Sequence, residues 1–300
     1  IGDYYMNNEK WEGDFLMLIT TIFWGGGSIF SKQLLAELDI FMVLALRFLS
    51  GFLVCFIVLN KRMKNIKKTT IINSIVLGGL LFFSYLTMMF GVRITSASNS
   101  GFIMSLSVVF VPIILFIFEN KTVCIREIVS IIITVAGVAF LCFQKNKIFN
   151  QGDFWTLVCA IIYAIHIIIM EKKVKEDDPV QLGTFQLLWV GIICLVISIF
   201  YGNIGVPVTT QGWFGLFYLG VLCTGCGFLF QSIAQTKTNS THISLIYATL
   251  PAFVAVFARI VYGEMFSIKR ILGIIIMILG IALMEVDIEK MWKKEIKSEQ

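Results

Sequence analysis

Few side chains in this 300-residue sequence can do chemistry, and most of those that can are set within apolar runs. The two histidines are His166 and His242. An imidazole titrates near neutrality and can carry a proton between two conformations, so both are candidates for proton coupling. The alternative for each is a plain hydrogen bond to a neighbouring carbonyl or hydroxyl. Trp24, Tyr85, Tyr163 and Tyr247 offer ring faces and polar tips that suit small organic ligands and cations. With 14% aromatic residues overall, many rings must serve packing alone. Gln231 and Gln235 are four residues apart and share one helix face, while Asn99 is followed by Ser100 and Ser105. Such groups either orient an uncharged part of a ligand or bridge helices, a bond worth about 0.6 kcal/mol in a membrane.

A glycine run raises a separate question. Residues 23–32 read "FWGGGSIFSK", and each glycine costs a helix about 1 kcal/mol relative to alanine. The run is kept either for close helix packing or for the open space that Gly25 to Gly27 would leave between spans. Cys223 and Cys226 form a CxxC, but no second pair or histidine cluster stands at metal spacing. The seven cysteines read as small apolar residues, and no metal or cofactor is expected. There is no GxxxxGK[ST], HExxH or GxSxG, so neither ATP hydrolysis nor hydrolase chemistry is expected.

The surroundings of these residues define the class. The sequence is 58% hydrophobic and 14% charged, with a mean hydropathy of +0.88, beyond the usual mix for a soluble domain. A bilayer crossing needs about 20 apolar residues in a helix. Ten segments qualify, near 14–33, 40–59, 71–91, 98–118, 125–143, 153–171, 180–200, 212–234, 242–262 and 269–286. This predicts an all-α membrane protein with ten transmembrane helices. Residues 1–5 precede a plausible start at Met6, and no cleavable signal peptide is expected.

Positive residues resist translocation. With the N-terminus inside, sixteen lysines and arginines fall in cytoplasmic segments and six outside, with Arg47 and Arg259 within spans. Both termini are therefore expected to be cytoplasmic, in the cell membrane. The net charge of +5 reads as a topology signal, with no nucleic-acid partner.

The sequence also repeats itself. "GDFLMLITTIFWG" from Gly13 lines up with "GDFWTLVCAIIYA" 139 positions later, pairing Trp24 with Tyr163 and Gly27 with His166. "VAGVAFL" around Gly137 lines up with "ILGIALM" at a shift of 143, which also pairs Asn99 with His242. Each copy holds five spans, an odd number, so tandem copies enter the membrane in opposite directions and form inverted repeats. The predicted organisation is a tail at 1–13, a first repeat at 14–144, a linker at 145–151, a second repeat at 152–286 and a basic tail at 287–300. Inverted repeats suit alternating access to a site between them.

"FWGGGSIFSK…LRFLSG", "SNSGFIMSLSVVFVP", "AGVAFL" and "TLPAFVAVFARIVYGEMFSIKRILGIIIMILGIAL" resemble the two EamA-type repeats of the drug/metabolite transporter superfamily. The resemblance covers residues 14–286. It implies a permease for small molecules, in many members an exporter of amino acids or related metabolites. It also implies a cavity lined by spans 1, 3, 4, 6, 8 and 9, with spans 5 and 10 peripheral. The family often has Asn or Ser where Gly27 stands, and an acid where Lys121 stands, which the second copy keeps at Glu264. The family keeps Arg47 broadly. Because span 2 is not expected to line the cavity deeply, Arg47 reads as structural.

The expected activity is transport, with no enzymatic reaction. The expected substrate is an amino-acid-like or related compound, the expected direction is export, and the expected carrier is a monomer with protons as a candidate coupling ion. The alternatives are a nutrient importer for an amine, nucleobase or vitamin, and a translocator of lipid-linked substrates. The substrate-binding residues expected are Trp24, Gly27, Ser28, Tyr85, Asn99, Tyr163, His166, Gln231, Gln235 and Tyr247.

Overall fold

Backbone polar groups in hydrocarbon must be satisfied within the segment, and long apolar runs meet that demand as helices. The computed structural model describes residues 2–122, 124–142, 150–263 and 268–285, and among them the regular structure is entirely helical. There are ten rods. The first repeat contributes α1 (Gly2–Gly25 continued by Gly27–Leu34), α2 (Ile40–Val58), α3 (Lys68–Ile94), α4 (Ala97–Ser105 continued by Ser107–Glu119) and α5 (Ile125–Cys142). The second contributes α6 (Gln151–Lys173), α7 (Pro179–Phe200), α8 (Thr210–Lys237), α9 (Ser240–Tyr247 continued by Leu250–Tyr262) and α10 (Ile268–Glu285). Eight of them, all but α5 and α10, are long and apolar enough in the described residues to cross a bilayer. Most of the linker, Lys145, Lys147, Glu264 and the basic tail lie outside the described residues.

Local chemistry sets several helix starts. The Asp39 carboxylate accepts from Phe41 N–H to start α2, and Asp178 accepts from Val180 and Gln181 N–H ahead of Pro179 to start α7. Asn150 and Asp153 form a reciprocal capping box at α6. The Thr209 hydroxyl accepts from Gly212 N–H to cap α8, and the Asn239 side chain accepts from His242 N–H to cap α9.

The packing follows the two-fold exchange of repeats. Under that exchange α3 against α6 becomes α8 against α1, and α3 against α7 becomes α8 against α2; both members of each pair are in contact. The pairs α2–α7 and α5–α10 map onto themselves, and both are extensively packed. At α5–α10 the repeat mates Gly137 and Gly280 bring the backbones together. A β-carbon on Gly137 would lie 2.8 Å from the Gly273 carbonyl oxygen, and one on Gly280 would lie 2.7 Å from the Thr134 nitrogen.

Four rods depart from a plain α-helix. α4 turns at Leu106 and α9 at Ala248 and Thr249, positions related by the 143-residue shift. Pro251 lacks the N–H that would continue the α9 ladder. α1 turns at Gly26, and α8 is π-helical over Tyr218–Cys226. Their mates α6 and α3 are unbroken, so the halves differ at α1 and α8, which pack together.

Polar latches close the ends. Glu37, between α1 and α2, accepts from the Val208 and Thr209 N–H groups at 2.9 and 3.3 Å and from the Thr209 hydroxyl. The hydroxyl, then the Val208 N–H, hold its carboxyl below the usual value. Asp177, between α6 and α7, accepts from Thr69, Thr70 and Asn73 of α3 at 2.9, 2.9 and 2.6 Å. Burial, its largest single influence, raises the Asp177 carboxyl, but donors from Asn73, Thr70 and Thr69 together with Lys67 outweigh it and leave the group below its ordinary value.

Gly280→Ala should therefore cost about 1–3 kcal/mol by forcing α5 and α10 apart, whereas Gly27→Ala, whose β-carbon would meet only Cys223 Sγ at 3.9 Å, should leave thermal unfolding in detergent nearly unchanged. The depressed Asp177 carboxyl contributes stability that is fully present above the usual carboxylate range and lost as pH falls through its folded value. Asp177→Asn should accordingly lower the melting temperature at neutral pH, with the difference from the wild type shrinking in acid.

Candidate functional site

The interior chemistry starts where α1 meets α8. In lipid, a carbonyl released from a helix ladder needs another donor. Phe23 O, at the α1 turn, accepts from the Tyr218 hydroxyl at 2.8 Å and the Cys223 thiol at 3.0 Å. Cys223 O, in the π-helical stretch, accepts from Trp24 Nε1 at 2.6 Å. The exchange fixes the Trp24 ring. Its centre lies 6.0 Å from Tyr163 and 5.6 Å from Tyr247, edge to face in both cases, and 5.4 Å from Phe228.

Trp24, Tyr163 and Tyr247 wall a chamber with a water-accessible volume of about 40 Å³ between the repeats. At ~10–15 Å³ for each water-sized occupant, it has room for about three. The sequence-predicted residues Trp24, Gly27, Ser28, Tyr85, Tyr163 and Tyr247 all line it. Three glycines that look alike in sequence do different work here. A β-carbon would lie 2.5 Å from Phe253 Cβ at Gly25 and 2.7 Å from the Tyr218 hydroxyl at Gly26, whereas Gly27 borders open space. The first two allow close packing and the third makes room.

The other four predicted residues stand outside the lining. The Asn99 amide is committed to Asp153 Oδ1 at 2.5 Å and Thr95 Oγ1 at 3.3 Å, fastening α4 to α6; its neighbour Ser100 lines the chamber instead. His166 is buried one layer back, stacked on Tyr163 at 5.7 Å between centres, with Nε2 2.9 Å from Gln186 Oε1. The Gln186 amide nitrogen points to Gly183 O, so its oxygen accepts from His166 Nε2–H and leaves Nδ1 as the nitrogen without a partner. Gln235 donates to Ile167 O at 2.7 Å, and Gln231 lies beside the Tyr163 hydroxyl. His242, at the start of α9, sits with Nδ1 3.6 Å from Asp14 Oδ1.

Two expectations about the lining are corrected. α8 supplies no residue to it, because the π-helical stretch turns its carbonyl and hydroxyl groups to Trp24 and Arg47. α2 does line it, through Arg47, which is 2% exposed. Arg47 Nε donates to Thr224 Oγ1 at 2.7 Å and Nη2 to the Tyr85 hydroxyl at 3.4 Å, and the guanidinium carbon lies 4.7 Å from the Tyr85 ring centre. An arginine in an apolar run was the available signal, since intramembrane charge is functional by default.

The shift relation extends to the latches. Asp14 and Asp153 are repeat mates, as are His242 and Asn99. Asp153 grips Asn99 at one end of the chamber helices, and Asp14 faces His242 at the other.

Comparison with known proteins agrees with this architecture. The EamA-like transporter family matches residues 11–143 and again 150–286. An uncharacterized transporter of Archaeoglobus fulgidus is 25% identical over 282 residues, covering 89% of this chain and 95% of its own. The uncharacterized transporter YyaM of Bacillus subtilis is 21% identical over 222 residues, 70% of this chain and 72% of its own. A crystal structure superposes with a TM-score of 0.75 at 14% identity, covering 90% of this chain and 95% of that one, a likeness of fold. With both repeats matched, the chain belongs to the EamA-like transporter family.

Proposed function

We propose that this membrane transporter moves a small amphipathic metabolite, amino-acid-like or related, by alternating access through the chamber, in the direction of export. The observation that carries the reading is the placement of the two repeat-related latches, Asp153 with Asn99 and Asp14 with His242, at opposite ends of the helices that bound the chamber. Opening one latch while the other holds would expose the chamber to one side at a time. Membership in a transporter family sets the protein apart from enzymes. The excess of lysine and arginine in alternate loops supports cytoplasmic termini in the cell membrane.

The lipid-linked alternative draws less support. An apolar groove of about 670 Å³ runs between α4 and α5, lined by Val109, Ile113, Phe116, Ile128 and Ile132 among others. It shares no lining residue with the chamber and carries no charged side chain for a headgroup.

Of the two histidines, His242 has an acid beside it, while His166 faces an amide. We assign proton responsiveness to the His242–Asp14 latch and a positioning role to His166, whose imidazole braces Tyr163.

Three measurements check this reading. In a cysteine-free background, Lys64→Cys should react with an impermeant maleimide only after the membrane is opened, and labelling of intact cells would reverse the topology. Trp24→Ala or Tyr163→Ala should weaken binding of a ligand found by thermal-shift screening about tenfold or more, a loss of ~1.4 kcal/mol, with protein still recoverable. In proteoliposomes, His242→Gln should remove pH-gradient dependence of flux while His166→Gln retains it; the opposite pattern would transfer the role to His166.

A further inference from the structure

The guanidinium of Arg47 is the one charged group among the described residues that line the chamber, and it is incompletely satisfied. An arginine has five N–H donors. Two serve Thr224 and the Tyr85 hydroxyl, while Nη1 is buried with no hydrogen-bond partner. Among the described residues no aspartate or glutamate lines the chamber. A buried charge without a counter-ion is costly, and the Tyr85 ring face offsets only part of that cost. Ser28, which also lines the chamber, has a buried hydroxyl oxygen with no hydrogen-bond partner.

The second repeat shows what is missing. The mate of Arg47 at the 139 shift is Gln186, and Gln186 receives a hydrogen bond from His166. The mate of His166 is Gly27, which borders open space. In one half the polar side chain of the second helix meets a partner from the first helix of its own repeat. In the other half that partner is reduced to a hydrogen atom, and the vacated place is part of the chamber.

We propose that Arg47 is the anion clamp of this transporter, holding the carboxylate of a small monoanion or zwitterion in the space left by Gly27, with Ser28 as a second donor and the substrate's apolar body against Trp24 and Tyr247. This rests on the transport reading given above and narrows it to substrates that carry a carboxylate. About three water-sized groups fit the chamber, which matches a carboxylate; a larger body requires the walls to part. The planar fork of arginine suits a carboxylate better than a spherical halide.

The test uses the whole protein in nanodiscs and matched acid and amide probes: acetate with acetamide, isovalerate with isovaleramide, 3-phenylpropionate with 3-phenylpropionamide, and leucine and phenylalanine with their amides. At least one acid should bind ten times or more tighter than its amide. Arg47→Gln, which copies the second repeat, should bring that acid down to the level of its amide, and Arg47→Lys should keep part of the preference. Gly27→His should abolish acid binding while the protein stays monodisperse. If amides bind as well as acids, if no acid binds, or if chloride competes as strongly as the acids, the clamp is refuted. The acid-to-amide ratio of the wild type decides this even if Arg47→Gln does not fold. Flux in proteoliposomes separates the two readings. Acid binding lost in Arg47→Gln without any flux in the wild type would leave the clamp and remove transport, whereas flux of neutral compounds would do the reverse.

Discussion

The structure depends on how two interrupted helices satisfy each other inside hydrocarbon. A turn at Gly26 and a π-helical stretch at Tyr218–Cys226 each disturb a hydrogen-bond ladder where no water can repair it. Placed side by side, they trade donors: Tyr218 and Cys223 serve Phe23 O, and Trp24 serves Cys223 O. Because the Trp24 nitrogen is consumed in this trade, only its ring is left to face the chamber, which makes an indole an apolar wall.

Around that contact the fold is nearly symmetric, and the departures from symmetry hold the chemistry. The turns in α4 and α9 are related by the repeat, as are the glycine pair Gly137 and Gly280 and the two latch acids. The pairs that differ are Gly27 with His166, Arg47 with Gln186, and Asn99 with His242. Gly27 and Arg47, one member of each of the first two pairs, line the chamber, while their mates His166 and Gln186 bond to each other outside the lining.

Much of this was legible in the sequence. Ten apolar runs, an odd number in each copy, and two consistent shifts are enough to give the rods and their inverted arrangement. Trp24, Tyr163 and Tyr247 could be foreseen as walls because their spacing placed them on the first, sixth and ninth spans. The place of Arg47 in the lining was not legible for a physical reason: what an intramembrane arginine meets depends on what other helices bring to it, and Thr224 lies 177 positions away. The bond from Asn99 to Asp153 was not legible because Asp153 comes from the other repeat. The α4 turn at Leu106 has no proline or glycine at the turn to announce it, whereas its mate in α9 is followed by Pro251. Nor does a run of three glycines say which one borders empty space.

The two latches bear on a problem every inverted repeat must solve. Halves related by a two-fold axis make the two faces of the membrane alike, yet vectorial work requires them to be unlike. Here the acids are the same on both sides and the partners are not. An amide has one protonation state across physiological pH and an imidazole has two. A single position, His242 against Asn99, is thus enough to make the two ends of the chamber helices chemically unlike.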